Sequence, residues 1–458
     1  MKVAVIGAGP VGLVLAAALA RRGSDVTLVD RDPGPPEGGT WARKGVMQFH
    51  HAHAVRPQAV RTVRREVPGV DSRLADAGAE SLSFNLPDGT EVEAGLGCRR
   101  STFEQVLRAA VLAVPRVTYL AAHVDAVTER ESAGHSRAGV RASGVVADGQ
   151  IVDADLVVDA SGRSGRVNRQ RRAPQGAGGA CGIAYVDRQY QLLPGAEPGP
   201  LVNPLAWQAN LEGYQCIVFP HELGIFSVLI VRPSDGRDLV GLRHEPAFVA
   251  ACRAIPGLAE WTDPLRSVPV TGVLPGGSLI NAFRSQRSAT GELALPGLVF
   301  VGDSVCTTTP NFGRGLATSM MQVDALLRFV DEALDPAGTP TADQLTGVGE
   351  EFDAWCEAHM RPWVEDHDLM DSSLRRRWAG EDLDLSSRIP SDLVMAAAEV
   401  DPRITPVLGP YVMMTALPSS LDPVQPLARA VYETGWRPAY APGPTRTELA
   451  AVVAAALV

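Results

Sequence analysis

The sequence predicts an α/β protein with a parallel sheet, an inserted antiparallel sheet and a mainly helical C-terminal region. Three observations lead to this prediction. Short apolar strands that run into glycine-containing turns begin near residues 2, 156 and 298, far apart in the chain. Between residues 183 and 231, apolar and polar residues alternate with the period of half-buried strands. After residue 345, the apolar positions have mostly helical spacing.

The first 30 residues contain a strand, a turn, a helix and a second strand in succession. Residues 2–6 are a buried-strand run, residues 12–22 are apolar at helical spacing, and residues 26–30 form the second apolar strand. A strand, a glycine-rich turn, a helix and a strand in this order open a doubly wound sheet. The N-terminal region is therefore expected to form parallel strands with helices packed on them.

The turn between this strand and helix reads Gly7-Ala8-Gly9-Pro10-Val11-Gly12. In a nucleotide-binding turn, the first glycine permits the tight turn, the second lets the backbone approach a pyrophosphate, and the third lets the helix pack on the strand. The helix N-terminus then faces the phosphates, and Asp30 ends the second strand, where a carboxylate accepts hydrogen bonds from ribose hydroxyls. This combination predicts a Rossmann-type dinucleotide site; the alternative is an ordinary βαβ turn.

The remaining elements follow from the same periodicities and from turn residues. Helices are expected at 55–66, 101–113, 245–254 and 314–334. Strands are expected at 81–85, 90–94, 117–121, 123–129, 139–146, 183–192, 205–211, 214–219 and 225–231. The alternating strands from about residue 175 to 285 are expected to form a sheet of their own.

The composition is that of a folded protein. Hydrophobic residues make up 45% and charged residues 21% of the 458 residues, and the net charge of −10 argues against a nucleic-acid partner. Glycines and a proline interrupt the apolar run 3–20, which argues against a signal peptide or a membrane span. The six cysteines form no CxxC pair and no Cys/His set has zinc-ligand spacing, so reduced thiols, a cytoplasmic location and no metal are expected.

A second group of motifs separates the two common dinucleotides, FAD and NAD. Asp159 and Asp303 each end an apolar strand, and the carboxyl ends of strands in such a sheet border the ligand crevice. Asp303 is followed by the turn 307–315 and then by a helix, so a second helix N-terminus faces the crevice. This dipole suits the N1/C2=O edge of a flavin, which becomes anionic on reduction. The alternative is that Gly302-Asp303 is only an N-cap turn.

Four separated segments carry a resemblance to a known family. They are GAGPVG with Asp30, RKGVM (43–47), VVDASGRSGR (157–166) and VGDSVCTTTPNFGRG (301–315). Together they resemble the group A flavoprotein monooxygenases, which are typified by p-hydroxybenzoate hydroxylase. The segment RKGV-x-Q followed by closely spaced histidines is similar to the flavin epoxidases and related oxidoreductases of secondary metabolism. The resemblance covers about residues 1–335.

The resemblance implies a discontinuous, GR2-like FAD-binding domain with a substrate domain inserted into it. The FAD-binding domain is expected at 1–80, 98–172 and 288–335, the substrate sheet domain at 81–97 and 173–287, and the helical C-terminal region at 336–458. The implied FAD-binding residues are Gly7, Gly9, Pro10, Val11, Gly12, Asp30, Arg31, Arg43, Gly45, Val46, Arg100, Val124, Asp159, Gly302, Asp303, Pro310, Gly313, Gly315 and Leu316.

The resemblance also implies the chemistry. Group A enzymes form a flavin C4a-hydroperoxide from O₂ and transfer its distal oxygen to the substrate, so hydroxylation or epoxidation of an apolar secondary metabolite is expected. The middle motif departs from the family, because Asp159 is followed by Ala160 and the following Ser and Arg are shifted to Ser164 and Arg166. In this family that motif is tied to NADPH docking, so the electrons are expected from NAD(P)H or from a separate flavin reductase.

Candidate pocket residues are less specific. His50, His51 and His53 lack the carboxylate or cysteine that a metal site needs, which argues against a metal. His50 and His53 are instead expected to lie near the flavin. Trp207 and Phe226 are expected to wall an apolar substrate cavity, with core packing as the alternative. The expected partners are a small-molecule substrate and, as the alternative to direct reduction by NAD(P)H, a flavin reductase. Neither a nucleic acid nor a membrane is expected as a partner, and a monomer or homodimer is expected.

Two other functions compete with the monooxygenase. A flavin-dependent halogenase shares the cofactor half, but such enzymes use a WxWxIP motif and a catalytic lysine; here there is no WxW, and Lys44 is the only candidate lysine besides Lys2. The third possibility is a flavin-binding protein without its own chemistry. The motifs GxSxG, GxxxxGK and HExxH are absent, which argues against the common hydrolases, NTPases and metalloproteases.

Overall fold

The structure is a computed structural model of the chain. It describes residues 1–458 except 38, 40, 86–88, 132–138, 164, 166, 168 and 335–339. Ser164 and Arg166 of the middle motif therefore lie outside the described residues.

The secondary structure alternates between strands and helices up to residue 333 and is helical after it. The strands are β1 (Lys2–Ile6), β2 (Asp25–Asp30), β3 (Glu80–Asn85), β4 (Glu91–Gly97), β5 (Val117–Ala121), β6 (Val124–Glu131), β7 (Val140–Ala147), β8 (Gln150–Asp153), β9 (Leu156–Asp159), β10 (Ile183–Leu192), β11 (Trp207–Leu211), β12 (Tyr214–Pro220), β13 (Ile225–Pro233), β14 (Ser267–Pro269), β15 (Leu274–Gly276), β16 (Ala282–Phe283), β17 (Leu298–Phe300) and β18 (Cys306–Thr307). The helices are α1 (Pro10–Arg21), α2 (Pro57–Glu66), α3 (Val70–Asp76), α4 (Arg100–Leu112), α5 (Glu245–Ala254), α6 (Pro256–Trp261), α7 (Gly315–Ala333), α8 (Ala342–His359), α9 (Arg361–Trp378), α10 (Ser391–Ala397), α11 (Thr405–Val412), α12 (Gln425–Glu433) and α13 (Arg446–Ala455).

The parallel sheet has the strand order β17-β9-β1-β2-β5, and each neighbouring pair is parallel. The chain adds strands in one direction from β1 through β2 to β5, and in the other direction through β9 to β17. The order therefore reverses beside β1, and open α/β sheets bind ligands at such a reversal, at the carboxyl ends of the strands. This confirms the predicted fold class.

The antiparallel sheet has the order β11-β12-β13-β10-β14, and β15 also pairs with β10. The predicted strands 183–192, 214–219 and 225–231 agree with β10, β12 and β13. One face of this sheet packs on α5, α6 and the C-terminal helix α13, in a core that includes Leu449 and Val453. The last helix of the chain thus returns to the inserted sheet, a contact that the sequence did not predict.

Three smaller antiparallel pairings complete the strands: β3 with β4, β6-β7-β8, and β16 with β18. Val55 forms an isolated bridge to Leu96 at the end of β4. Helices α8 to α12 follow α7 and extend the same hydrophobic core as the parallel sheet. Among the described residues, no helix has the length and apolar character that crossing a membrane requires.

Candidate cofactor and substrate site

A single cavity of about 1080 Å³ lies at the carboxyl ends of the parallel strands and extends to the antiparallel sheet. Sites for drug-sized ligands usually have volumes of about 300–1000 Å³, so this cavity can hold a dinucleotide together with a smaller molecule. Asp30 at the end of β2 and Asp303 after β17 both line it. Asp30 and Asp303, which were both predicted to bind FAD, therefore share one cavity.

The glycine turn after β1 is built by close backbone contacts. Gly7 has a φ of +99°, and a Cβ there would lie 2.7 Å from the carbonyl oxygen of Ala160 after β9. A Cβ on Gly12 would lie 1.8 Å from the Gly7 carbonyl oxygen. By contrast, a Cβ on Gly9 would find no atom within 4 Å, because Gly9 faces the open cavity. The start of α1 thus leaves room for a pyrophosphate against the free N–H groups of its first turn.

Asp30 is held by three hydrogen bonds. The Ala8 N–H donates to its Oδ2 at 2.6 Å, and the Arg43 guanidinium donates to the same oxygen at 2.7 Å. The Asp32 N–H donates to its Oδ1 at 2.9 Å. Because a carboxylate has about four acceptor positions, Asp30 keeps about one position, on Oδ1, for a ligand hydroxyl.

Arg43 lies at the centre of a buried cluster of charges. Its Nη1 donates to Glu104 Oε2 at 2.7 Å and to the Ala8 carbonyl at 3.1 Å, and its Nε lies 3.7 Å from Asp32 Oδ2. Burial is the largest single effect and lowers the Arg43 pKa, but the charges of Glu104 and Asp30 outweigh it, so the pKa is raised above its ordinary value. The Arg43 side chain is therefore a fixed cation that also lines the cavity.

The same cluster continues to a histidine on the cavity wall. Arg100 Nε donates to Glu104 Oε1 at 2.5 Å, and Arg100 Nη1 lies 3.1 Å from His53 Nε2. His53 Nδ1 lies 2.9 Å from the His51 carbonyl oxygen. Burial and the Arg100 charge lower the pKa of His53 to about 3, so the ring is neutral. Its Nδ1 then carries the proton and its Nε2 accepts from Arg100.

The loop after β17 forms a further part of the cavity wall, and Gly302 of this loop lies against Val11 at the start of α1. Gly302, Asp303, Pro310, Gly313, Gly315 and Leu316 line the cavity, and α7 begins there at Gly315. Gly313 has a φ of +58°, and a Cβ there would lie 2.6 Å from the Ala54 Cβ. Burial raises the pKa of Asp303, and the charges of Arg100, Arg163 and Arg284 oppose this shift. The N-terminus of α7 therefore places a positive dipole end on the cavity.

These features fit FAD on structural grounds. The N-termini of both α1 and α7 border one cavity, and Gly9 leaves space where a pyrophosphate must approach. Most residues that the family resemblance implied line the same cavity: Gly7, Gly9, Pro10, Val11, Asp30, Arg31, Arg43, Gly45, Val46, Arg100, Val124, Gly302, Asp303, Pro310, Gly313, Gly315 and Leu316. Gly12 packs behind the turn instead, and Asp159 lines a smaller neighbouring pocket.

One wall of the cavity is an apolar face of the antiparallel sheet. It consists of Tyr185, Ile217, Phe219, Leu229 and Val231, with Leu279 beside them. The register pairs Ile217 with Leu229 and Tyr185 with Val231, so these residues lie side by side on neighbouring strands. The wall can exclude water and contact an apolar molecule.

Two predicted wall residues lie outside this cavity. Phe226 stacks on Tyr190 with ring centroids 5.5 Å apart and also contacts Trp261, in the core beneath α5 and α6. Trp207 packs against the same core. Successive strand residues point to opposite faces, and here both faces are apolar because helices cover the second one. The sequence pattern therefore could not show which set faces the ligand.

The histidine segment is fixed to β10. Gln189 donates to the His50 carbonyl at 2.7 Å, and the Ala52 N–H donates to Asp187 Oδ2 at 2.7 Å. Among these histidines, His53 lines the cavity and His50 does not. In the part of the chain that the structure describes, no group of His, Cys, Asp and Glu can hold a metal ion.

Sequence reasoning missed the anchor between the α7 loop and the C-terminal helices. Arg314 is buried, and its Nη1 lies 3.3 Å from Asp366 Oδ2. Its guanidinium group also contacts the rings of Trp363 and Tyr411. Tyr411 donates to Asp366 at 2.7 Å. Arg314 directly precedes α7, so residues of α9 and α11 fix a loop that lines the cavity. The signal in the sequence was only an arginine inside a glycine-rich turn.

Residues 2–168 match the family model of FAD dependent oxidoreductases. A D-amino acid dehydrogenase 2 from Ralstonia nicotianae is 45% identical over 69 residues, which are 15% of this chain and 16% of that protein. This chain therefore matches less than a fifth of the length of that curated relative.

Solved structures extend the similarity to almost the whole chain. The flavin-dependent brominase Bmp2 is 14% identical and aligns over 95% of this chain and 100% of its own, with a TM-score of 0.65. PqsL, a probable FAD-dependent monooxygenase from Pseudomonas aeruginosa, is 17% identical over 83% of this chain and 98% of its own, with a TM-score of 0.56. Residues 2–168 thus form an FAD-dependent oxidoreductase domain, and most of the chain shares its fold with these flavin-dependent enzymes.

Proposed function

We propose that this protein is an FAD-dependent monooxygenase that hydroxylates or epoxidises an apolar small molecule. The observation that carries the proposal is the continuity of one cavity from the two helix N-termini to the apolar sheet face. FAD held between Asp30 and the α7 loop would have that face, with Tyr185 and Leu229, as the wall of the adjoining space. The similarity to PqsL supports the same conclusion.

The protein's own residues would bind and orient the cofactor and the substrate, and they would exclude water from the site. Bound, reduced FAD would supply the two electrons that activate O₂, so that one oxygen atom of O₂ goes to the substrate and the other leaves as water. The helix dipole at Gly315 favours negative charge at the flavin end, and the wall around Ile217 and Leu229 keeps the transfer site dry. Neutral His53, fixed by Arg100 and the His51 carbonyl, offers an oriented ring without adding a charge.

A side-chain nucleophile is not needed for this chemistry, and the cysteines do not offer one. All six cysteines are buried, and burial raises the pKa of each thiol. Lys44 lines the cavity, within the predicted cofactor segment 43–47. Together with the fold of the brominase Bmp2, this keeps a flavin-dependent halogenase as the second candidate.

The test uses FAD-loaded protein, O₂ labelled with ¹⁸O, and either NAD(P)H or a flavin reductase as the electron source. Aromatic and alkene compounds are screened with and without chloride or bromide. We expect a product that carries one ¹⁸O atom and needs no halide. A halogenated product would support the second candidate. A protein that binds FAD but consumes O₂ without forming a product would contradict both proposals and leave a flavin-binding protein.

A matched pair of variants tests the substrate wall. Leu229→Trp fills the cavity side of β13, whereas Val268→Trp places the same side chain on the exposed side of β14, where Val268 is 41% exposed. We expect both variants to keep the flavin absorbance, and only Leu229→Trp to lose product formation. Equal turnover in the two variants would show that the substrate does not contact this sheet face.

A further inference from the structure

The loop after β17 is held from behind, on the side that faces away from the cavity. Thr308 and Pro310 line the cavity, whereas Thr309 between them is 1% exposed and does not. The Thr309 N–H donates to the side-chain oxygen Oδ1 of Asn281 at 2.7 Å. Because Pro310 has no N–H, this bond fixes the backbone directly before a residue that borders the cavity.

Asn281 in turn is bound to a helix of the C-terminal region. Its Nδ2 donates to Asp371 Oδ2 of α9 at 2.7 Å, and both side chains are buried. The backbone of Asn281 is fixed as well, because its N–H donates to the Gly179 carbonyl at 2.9 Å and its carbonyl accepts from Gln175 Nε2 at 3.1 Å. A continuous series of hydrogen bonds therefore runs from α9 to the cofactor loop.

Asp371 determines which way the Asn281 amide points. The Thr309 N–H can only donate, so it needs the amide oxygen, and the amide NH₂ must then find an acceptor on its other side. The Asp371 carboxyl is that acceptor. Without it the amide can turn over, which places two N–H groups against each other at Thr309 and breaks the bond to the loop.

The burial of Asp371 gives a second reason to look for a role. The residue is 2% exposed, and burial raises its pKa to about 7. The hydrogen bonds with Asn281 and Cys181 lower the pKa, whereas the acids Asp368 and Asp392 raise it, and no described cation contributes. A buried acid without a cation is costly, so a contact that requires this acid is expected.

We propose that Asn281 and Asp371 are positioning residues for the flavin. Asp371 orients the Asn281 amide, and the amide holds Thr309 so that Thr308 and Pro310 keep the conformation that receives the flavin end of FAD. Neither Asn281 nor Asp371 lines the cavity, so both act through the loop and not by contact with the cofactor. The inference rests on FAD binding in this cavity and makes no use of the reaction.

The test compares variants of similar size. Asp371→Leu and Asn281→Leu remove the bonds, whereas Asp371→Asn keeps an oxygen that accepts from Asn281. Asp368→Leu is the matched control, because Asp368 lies one turn earlier on α9 and its pKa shift has burial as the named cause, without a hydrogen bond. Fluorescence titration gives the FAD affinity, the visible absorption bands report the surroundings of the flavin, and thermal unfolding without FAD shows whether each variant folds.

We expect Asp371→Leu and Asn281→Leu to fold, to bind FAD at least about tenfold more weakly and to shift the flavin bands. The double variant should lose no more than the single variants, because both residues act through one series of bonds. Asp371→Asn and Asp368→Leu should behave like the wild type.

Three results would overturn the proposal. They are unchanged FAD affinity and bands in both leucine variants, equal losses in Asp371→Leu and Asp371→Asn, and loss of folding in both leucine variants, which would assign the pair to the stability of the whole fold. These measurements need no substrate. A wild-type protein that binds FAD but forms no product would therefore contradict the monooxygenase proposal alone.

Discussion

Arg43 Nη2 lies 2.7 Å from Asp30 Oδ2, so the acid that ends β2 is paired with a cation from the following loop. The pair is buried, since the Arg43 side chain is 4% and the Asp30 side chain 12% exposed. The sequence predicted Asp30 as the ribose acceptor, and the family resemblance implied that Arg43 contacts FAD. The structure adds that each of them first holds the other, which pre-orients both toward the cavity.

Removal of the Arg43 charge should destabilise the protein strongly. Arg43→Met leaves Asp30, Asp32 and Glu104 close together in a buried site without their cation, and breaking a buried ion pair costs about 3–5 kcal/mol. Chemical denaturation of the apoprotein measures this loss. Lys44→Met is the control, because Lys44 is exposed and its loss should change the free energy of unfolding by less than about 0.5 kcal/mol. Similar stability of the two variants would contradict the cluster.

Two glycine variants separate folding from cofactor binding. Gly12→Ala brings a methyl group against the Gly7 carbonyl, so it should destabilise the apoprotein by about 1–3 kcal/mol. Gly9→Ala meets no atom of the protein, so the apoprotein should remain stable while its FAD affinity falls, because the methyl group occupies the pyrophosphate approach. Thermal unfolding without FAD and fluorescence titration with FAD measure the two effects. Unchanged FAD affinity in Gly9→Ala would place the pyrophosphate elsewhere.

Asp187 should make the protein less stable at high pH. Burial raises its pKa to about 8, whereas in the unfolded chain the pKa is about 3.9. Between these values the folded state holds a proton that the unfolded state has lost, so the free energy of unfolding falls by up to about 1.4 kcal/mol per pH unit as the pH rises. Asp187→Asn removes this dependence and can still accept from the Ala52 N–H.

The measurement is urea denaturation of wild type and Asp187→Asn from about pH 5 to about pH 8. The difference between the two proteins should grow with pH in favour of the variant. His51 lies 3.8 Å from Asp187, and burial lowers its pKa to about 4. In this pH range His51 therefore changes its protonation only in the unfolded state. It does so in both proteins, so its contribution cancels from the difference in the free energy of unfolding. A constant difference across this range would show that Asp187 is ionised in the fold.

The contacts around Arg314 predict that removal of one hydroxyl group lowers the free energy of unfolding. Tyr411→Phe removes the hydrogen bond to Asp366 at 2.7 Å, and a bond to a charged group is worth about 1.5–3 kcal/mol. Tyr440→Phe is the matched control, since Tyr440 is 51% exposed. Chemical denaturation should show the loss only for Tyr411→Phe. The variant should also bind FAD less tightly, because Asp366 holds Arg314 at the start of α7.

The sequence by itself determined the local architecture of the cofactor half. The spacing of Gly7, Gly9 and Gly12 between a strand and a helix follows from backbone sterics, which are local, and it specified the turn, the helix and the place of Asp30. The strand-end position of Asp303 likewise placed it at the crevice, because all parallel strands end at the same edge. These features depend on short segments whose geometry is fixed by nearest neighbours.

Only the tertiary structure decided which residues face the substrate space and what the C-terminal region does. Phe226 and Leu229 are both apolar strand residues, but β13 is covered on one face by α5, α6 and α13 and turned to the cavity on the other. An alternating pattern cannot distinguish two buried faces. The role of Arg314 depends on Asp366 and Tyr411, which are distant in sequence and meet it only after folding, so no local pattern carries that contact.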